Sequence, residues 1–145
     1  MNDFMTYKIT PEEKERMISA FKDRLEKYNE IIFAYIFGSF VDNETPFFRD
    51  IDIGVYINKD VISEKKFIDY AIKLSLELES LFKKYPVDVV IMNNAPLSLL
   101  SKITQGELLF VRDERLWIDF VTRAWSLYHD HAITSREILK DMVSA

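Results

Sequence analysis

Three aspartates and one Gly-Ser pair carry the residues whose types and spacing could do chemistry. Asp50 and Asp52 flank a single isoleucine at the start of the alternating stretch Asp50-Ile51-Asp52-Ile53-Gly54-Val55-Tyr56-Ile57. Residues two apart in a strand point to the same face, so the two carboxylates project together while Ile51, Ile53, Val55 and Ile57 line the opposite, buried face. Adjacent carboxylates resist ionising together unless a cation sits between them. Magnesium suits the place, because it takes hard oxygen ligands and is often held by a carboxylate or two plus substrate phosphates. Asp88 alone interrupts the apolar run Val87-Asp88-Val89-Val90-Ile91-Met92, where a carboxylate is costly unless paired or coordinated. If the two strands are neighbours, Asp88 joins the same cluster. Gly38-Ser39 follows another apolar run and offers a backbone with no side chain to obstruct approach, then a hydroxyl. A helical turn beginning at Ser39 would add free amides that favour a phosphate. These residues together describe a site for a nucleotide polyphosphate and two metals, a pairing able to stabilise both the attacking and the leaving oxygen of an in-line displacement.

The elements that must position these groups are readable along the chain. Thr10-Pro11-Glu12-Glu13 marks a helix start, with Thr10 as cap, Pro11 in the first turn and Glu13 completing a capping box. That helix is predicted to run to about Tyr28. Ile31 to Phe37 is short and almost wholly apolar, as in a strand buried on both faces. Asp42 to Arg49, with Asn43 and Pro46, reads as a loop, and Asp50 to Ile57 as the next strand. Ser63 is placed to cap a long helix ending near Lys84. Val87 to Met92 gives a third strand, and a helix from about Pro96 is expected to close at a left-handed Gly106. Glu107 to Val111 is a last short strand, after which Asp113 caps a C-terminal helix over 113–141. The order predicts an α/β fold with a small mixed sheet of about four strands flanked by helices.

No repeat, low-complexity stretch or linker interrupts the 145 residues, so residues 1–145 read as a single domain. An apolar share of 48% with only three glycines fits a compact globule rather than a disordered chain. The net charge of −5, from 24 acids against 19 bases, argues against general nucleic-acid binding and against an anionic membrane surface as partner. With no cysteine there is no disulfide, thiolate metal site or cysteine nucleophile. The opening MNDFMTYKIT lacks the basic cluster and apolar run of a secretory leader. No stretch approaches the ~18 apolar residues of a membrane span. A cytoplasmic location is the expectation.

Gly38-Ser39, ten intervening residues and Asp50-Ile51-Asp52 resemble the G-S-x10-D-x-D signature of the polymerase-β nucleotidyltransferase superfamily, and Val87-Asp88-Val89-Val90 resembles its third acid. The segments Ala95-Pro96, Gly106-Glu107-Leu108-Leu109-Phe110 and Arg123-Ala124-Trp125 are similar to the minimal nucleotidyltransferases, antitoxins found beside HEPN-type ribonuclease toxins. The resemblance implies a polymerase-β-like fold and transfer of AMP from ATP to a tyrosine of the cognate toxin, inactivating it, in a hetero-oligomer with that toxin. It implies that Gly38 and Ser39 bind the nucleotide phosphates and that Asp50 and Asp52 hold two magnesium ions. Asp88 would hold one of these near the attacking hydroxyl and serve as a candidate base. Where the family often has Arg-Gly this chain has Asp42-Asn43, and Arg49 replaces a small residue before the first acid. Two alternatives stand beside the antitoxin enzyme: nucleotide transfer to a small hydroxyl compound such as an aminoglycoside, and an antitoxin that neutralises by binding alone. The chain has little length for an acceptor-binding domain of its own, which favours a macromolecular acceptor.

The C-terminal helix is unusually apolar. Leu116, Trp117, Ile118, Phe120, Val121, Ala124, Trp125, Leu127 and Tyr128 span an arc of roughly 200°. A helix resting on one sheet buries a narrower stripe. The surplus goes either into this domain's own core or into a partner surface, for which Trp117, Trp125 and Tyr128 are the candidate anchors. Arg123 and His129 have the spacing of the ribonuclease pair of HEPN proteins, but those are helical bundles, and a surface Arg and His is the reading here. His131 has no metal-like companion.

Overall fold

The computed structural model describes residues 6–42 and 47–144, and of 131–144 the backbone alone. The predicted loop residues Asn43 and Pro46, and the side chain of His131, lie outside the described residues.

The elements in chain order are β1 (Tyr7–Lys8), α1 (Pro11–Leu25), β2 (Ile31–Phe37), β3 (Phe47–Phe48), β4 (Ile51–Ile57), α2 (Phe67–Glu79), β5 (Val87–Ile91), α3 (Leu97–Thr104), β6 (Glu107–Val111) and α4 (Glu114–Ser144). The main sheet is ordered β5-β4-β2-β6. β4 and β5 are parallel, while β2 runs antiparallel to both β4 and β6. The mixed four-stranded sheet flanked by helices is as the sequence predicts.

Side-chain alternation divides the core into two layers. Ile51, Ile53, Val55 and Ile57 are all fully buried, in the layer shared with Met17, Phe21 and Leu25 of α1 and Leu74 and Leu78 of α2. Phe33, Tyr35 and Phe37 of β2 point the other way and pack with Leu100 and Ile103 of α3 and Ala124 of α4. The sheet therefore has α1 and α2 on one face and α3 and α4 on the other. Each fully buried large aliphatic side chain contributes about 1.5–3 kcal/mol relative to exposure, so both alternation patterns are strongly enforced.

Several boundaries differ from expectation. Thr10 Oγ1 accepts the Glu13 amide at 3.2 Å, capping α1, but the helix stops at Leu25. Ser63 makes no side-chain cap; a single 3-10 turn, Glu64–Lys66, precedes α2, which ends at Glu79. β1 and β3 form a two-stranded antiparallel sheet that includes part of the predicted loop. Pairs this short leave no periodicity to read. Asp113 caps α4 as predicted, accepting the Leu116 amide at 3.1 Å.

Gly106 is not left-handed: Gly38 is the only glycine with positive φ among the described residues. Gly106 is instead needed for close approach, since a Cβ there would lie 2.4 Å from the Ile36 carbonyl oxygen and 2.6 Å from Phe37 Cβ. The start of β6 is pressed against the end of β2 with no room for a methyl group.

Much of the apolar arc of α4 serves the chain's own packing. Trp117 Nε1 donates to the Tyr35 hydroxyl at 2.9 Å, and its ring packs on the second core layer with Leu116 and Phe120. Trp125 Nε1 donates to Thr104 Oγ1 at 3.0 Å, with Tyr128 edge-on at 6.1 Å. Trp117 is thus an internal anchor, and among the described side chains of α4 the large apolar ones that remain exposed are Ile118, Trp125 and Leu127. Arg123 and His129 are also exposed.

Gly106→Ala is expected to destabilise the protein by about 1–3 kcal/mol, the usual cost of overpacking, read as a lower urea midpoint. An unchanged midpoint would mean that β2 and β6 can part to admit a methyl group.

Candidate active site

The predicted residues converge at one end of the sheet. In the register of β4, Asp52 lies opposite Phe37, the last residue of β2, and beside Asp88 of parallel β5. Neighbouring strands are about 4.8 Å apart, and cross-strand partners share a face. Asp52 and Asp88 therefore project from the face that carries α3 and α4. Asp50 lies one residue outside β4, in the bend before it, and not within the strand as the alternation suggested. Its charge nonetheless reaches both of the other acids.

β5 is an edge strand, and α2 fixes it where Asp88 needs support. Glu79 Oε1 accepts the amide of Val87 at 3.0 Å, and Ser75 Oγ accepts that of Val89 at 3.2 Å. The amides on either side of Asp88 are thereby satisfied by side chains, which also blunts the open edge against pairing with another strand. Nothing in the sequence marked Ser75 or Glu79 for this task, because each is an ordinary polar residue of a helix.

Gly38 has φ +81°, a conformation that side chains other than glycine's rarely adopt. A Cβ here would lie 2.6 Å from Asp52 Oδ2. The glycine is required by its backbone conformation, and its missing side chain leaves the Asp52 carboxylate its place above the turn. The following turn is closed by the Val41 amide donating to the Gly38 carbonyl and the Asp42 amide to that of Ser39. These closing bonds leave out the amides of Ser39 and Phe40.

A cleft of about 630 Å³ opens on the β2 side of Asp52, between the Gly38 turn and α3. Gly38, Asp42 and Asp52 line one part of it, and Leu99 and Lys102 of α3 with Gln105 just past its end the other. Ser39 is half-buried in the turn and is not among the lining residues; Asp50 and Asp88 lie outside the cleft as well. Lys102 and Gln105 escaped the sequence reading because one cation on a short helix carries no spacing signal.

The electrostatics are those of crowded acids. Loss of hydration, then the charges of Asp50 and Asp88, push the Asp52 carboxyl up from 3.8 to about 6. Asp88 is exposed at its surface, yet neighbouring protein bulk removes part of its hydration, and this with the charge of Asp50 raises its pKa as well. The expense anticipated for Asp88 thus comes from partial dehydration and repulsion rather than full burial. Among the described residues no three acids or histidines are already gathered around a metal position. The donor set of Asp50, Asp52 and Asp88 fits magnesium all the same: every atom is a hard oxygen, and a cation would relieve the repulsion that raises Asp52 and Asp88.

An aspartate whose folded pKa lies above its unfolded value opposes folding once ionised, so the stability it leaves intact at low pH is lost as pH rises through the folded value. For Asp52 that window runs from 3.8 to about 6. In chelator, Asp52→Asn should melt above the parent at neutral pH, and the difference should close towards about pH 4. Equal melting temperatures across the range would show that Asp52 ionises at no cost.

The polymerase beta nucleotidyltransferase family model matches residues 20–115. No curated protein sequence matches the chain. Among solved structures, a chain from the Shewanella oneidensis complex of tri-AMPylated HEPN toxin with MNT antitoxin aligns at TM-score 0.61 and 22% identity, covering 88% of this chain and 99% of that one. A chain of the toxin-antitoxin pair MntA-HepT gives TM-score 0.60 and 22% identity, with 87% and 98% covered. A chain of a toxin-antitoxin structure with AMP-PNP gives 0.59 and 23%, with 94% and 100% covered. At these identities the likeness is one of fold, while the family match spans all four strands of the main sheet, the Gly-Ser turn and all three aspartates. The chain belongs to the polymerase beta nucleotidyltransferase family.

Proposed function

We propose that the protein is a magnesium-dependent antitoxin that transfers AMP from ATP to a tyrosine of a cognate HEPN toxin and so inactivates it. The observation that carries this reading is the register that sets Asp52 beside Asp88 and against Gly38, at the mouth of a cleft large enough for a nucleotide. The solved structures of similar fold support it, since one contains a tri-AMPylated HEPN toxin with its MNT antitoxin and another AMP-PNP.

In this reading Asp50 and Asp52 bind two magnesium ions and Asp88 shares one of them. When bound, the ions supply charge neutralisation of the phosphates and lower the pKa of the attacking hydroxyl. Gly38 lets the polyphosphate approach the turn backbone, and the Ser39 hydroxyl is a donor at its side. The toxin's tyrosine oxygen attacks the α-phosphorus, a new O–P bond forms, the α–β phosphoanhydride bond breaks, and pyrophosphate leaves. Asp88, exposed at the outer side of Asp52, takes the tyrosine proton. The toxin supplies the acceptor surface, and on this side the exposed Ile118, Trp125 and Leu127 of α4 offer the apolar contacts for docking.

Intact-mass measurement of a HEPN toxin incubated with the protein, ATP and magnesium should show mass added in AMP steps. Asp50→Asn and Asp52→Asn should each abolish the addition, and omission of magnesium should do the same. A toxin bound and neutralised with unchanged mass would overturn the transferase reading, and retained transfer in both variants would overturn the metal assignment.

A further inference from the structure

The geometry points to Lys102 as the residue that binds the β- and γ-phosphates of the nucleotide and holds the departing pyrophosphate. The inference rests on the reading of the site just given and adds the direction in which the nucleotide lies. In the sheet order β5-β4-β2-β6, Asp88 stands on the outer side of Asp52, and the Gly38 turn on its inner side. The cleft lies wholly on that inner side, reaching Gly106 at the start of β6 and the last turn of α3. An in-line displacement puts the attacking and leaving oxygens on opposite sides of the phosphorus. With the acceptor hydroxyl at Asp88, the leaving pyrophosphate must therefore extend past Gly38 into the cleft.

The charges there favour an anion at one position only. Asp42 and Asp52 bring negative charge to the turn side, and Lys102 is the only cation among the lining residues. Residues 43–46, Asn-Glu-Thr-Pro, contain no basic residue. Lys102 is exposed and makes no ion pair among the described residues, although it shares the cleft with two acids. Gln105 beside it is held by α3, its Nε2 donating to the Ser101 carbonyl at 3.1 Å and to Ser101 Oγ at 3.2 Å. An ammonium on a flexible stem, facing an open floor, is a point-charge ligand for phosphate. The rival role is support of the helix end, for Lys102 sits in the last turn of α3, where a cation complements the helix dipole. That role would change melting temperature and leave nucleotide selectivity alone.

The test is calorimetric binding of two probes with magnesium, the non-cleavable α,β-methylene-ATP and AMP, to the parent, Lys102→Gln and Lys102→Arg. Loss of one charge-assisted contact should weaken the triphosphate analogue in Lys102→Gln by about tenfold or more. AMP, which does not reach the lysine, should change by less than about twofold, and Lys102→Arg should recover most of the triphosphate affinity. Equal triphosphate affinity in Lys102→Gln and the parent, or an equal loss for AMP, would overturn the role of Lys102 while leaving the site reading intact. A parent that binds no triphosphate analogue would overturn the site reading and this inference with it.

Discussion

The pairing of Phe37 with Asp52 and of Asp52 with Asp88 is the constraint from which the rest of the site follows. Strand side chains alternate, so a slip of one residue in β4 would turn Asp52 into the layer of Leu74 and Leu78 and drive Ile51 and Ile53 out of it. Four fully buried aliphatic residues on β4 hold the register against that slip, and their burial outweighs the repulsion among the acids. Gly38 is the complementary condition. Its positive φ and missing side chain let the chain turn away directly beneath the Asp52 carboxylate.

Around that register the molecule separates repulsion from support. The acids lie where hydration is partly lost and each feels another's charge, which is why Asp52 and Asp88 resist ionising. Their supports meet backbone amides or apolar neighbours: Ser75 and the Glu79 carboxylate receive amides of β5 on the outer edge, and Ile103 of α3 packs within the second core layer. An arrangement of this kind holds electrostatic cost that a cation among the acids would offset, which is what the proposed magnesium site requires.

The sheet and the acids were legible because both depend on short-range patterns. Alternation of Ile51, Ile53, Val55 and Ile57 reports a buried face, and the spacing of Gly38-Ser39 from Asp50 and Asp52 is a local record of one turn feeding the next strand. What escaped depends on contacts across the fold. Glu79 and Ser75 are recognisable as props for Asp88 only once α2 lies along β5. The close approach of Gly106 to Ile36 looks like a helix stop when only its neighbours in sequence are known. Trp117, read as a candidate partner anchor, proves tied to Tyr35 across 82 positions of sequence. The role of Lys102 is hidden for the same reason: its significance lies in facing Gly38 and Asp52 across a cleft.

The most direct measurement is diffraction from crystals grown with manganese and α,β-methylene-ATP, recorded at the manganese edge. Anomalous peaks at ligand distance from the carboxylates of Asp50, Asp52 and Asp88, with the triphosphate running past Gly38 into the cleft, are the predicted result. A nucleotide bound elsewhere, or a triphosphate seated with no metal touching Asp52, would contradict the assignment of these three acids as the metal-holding core of the site.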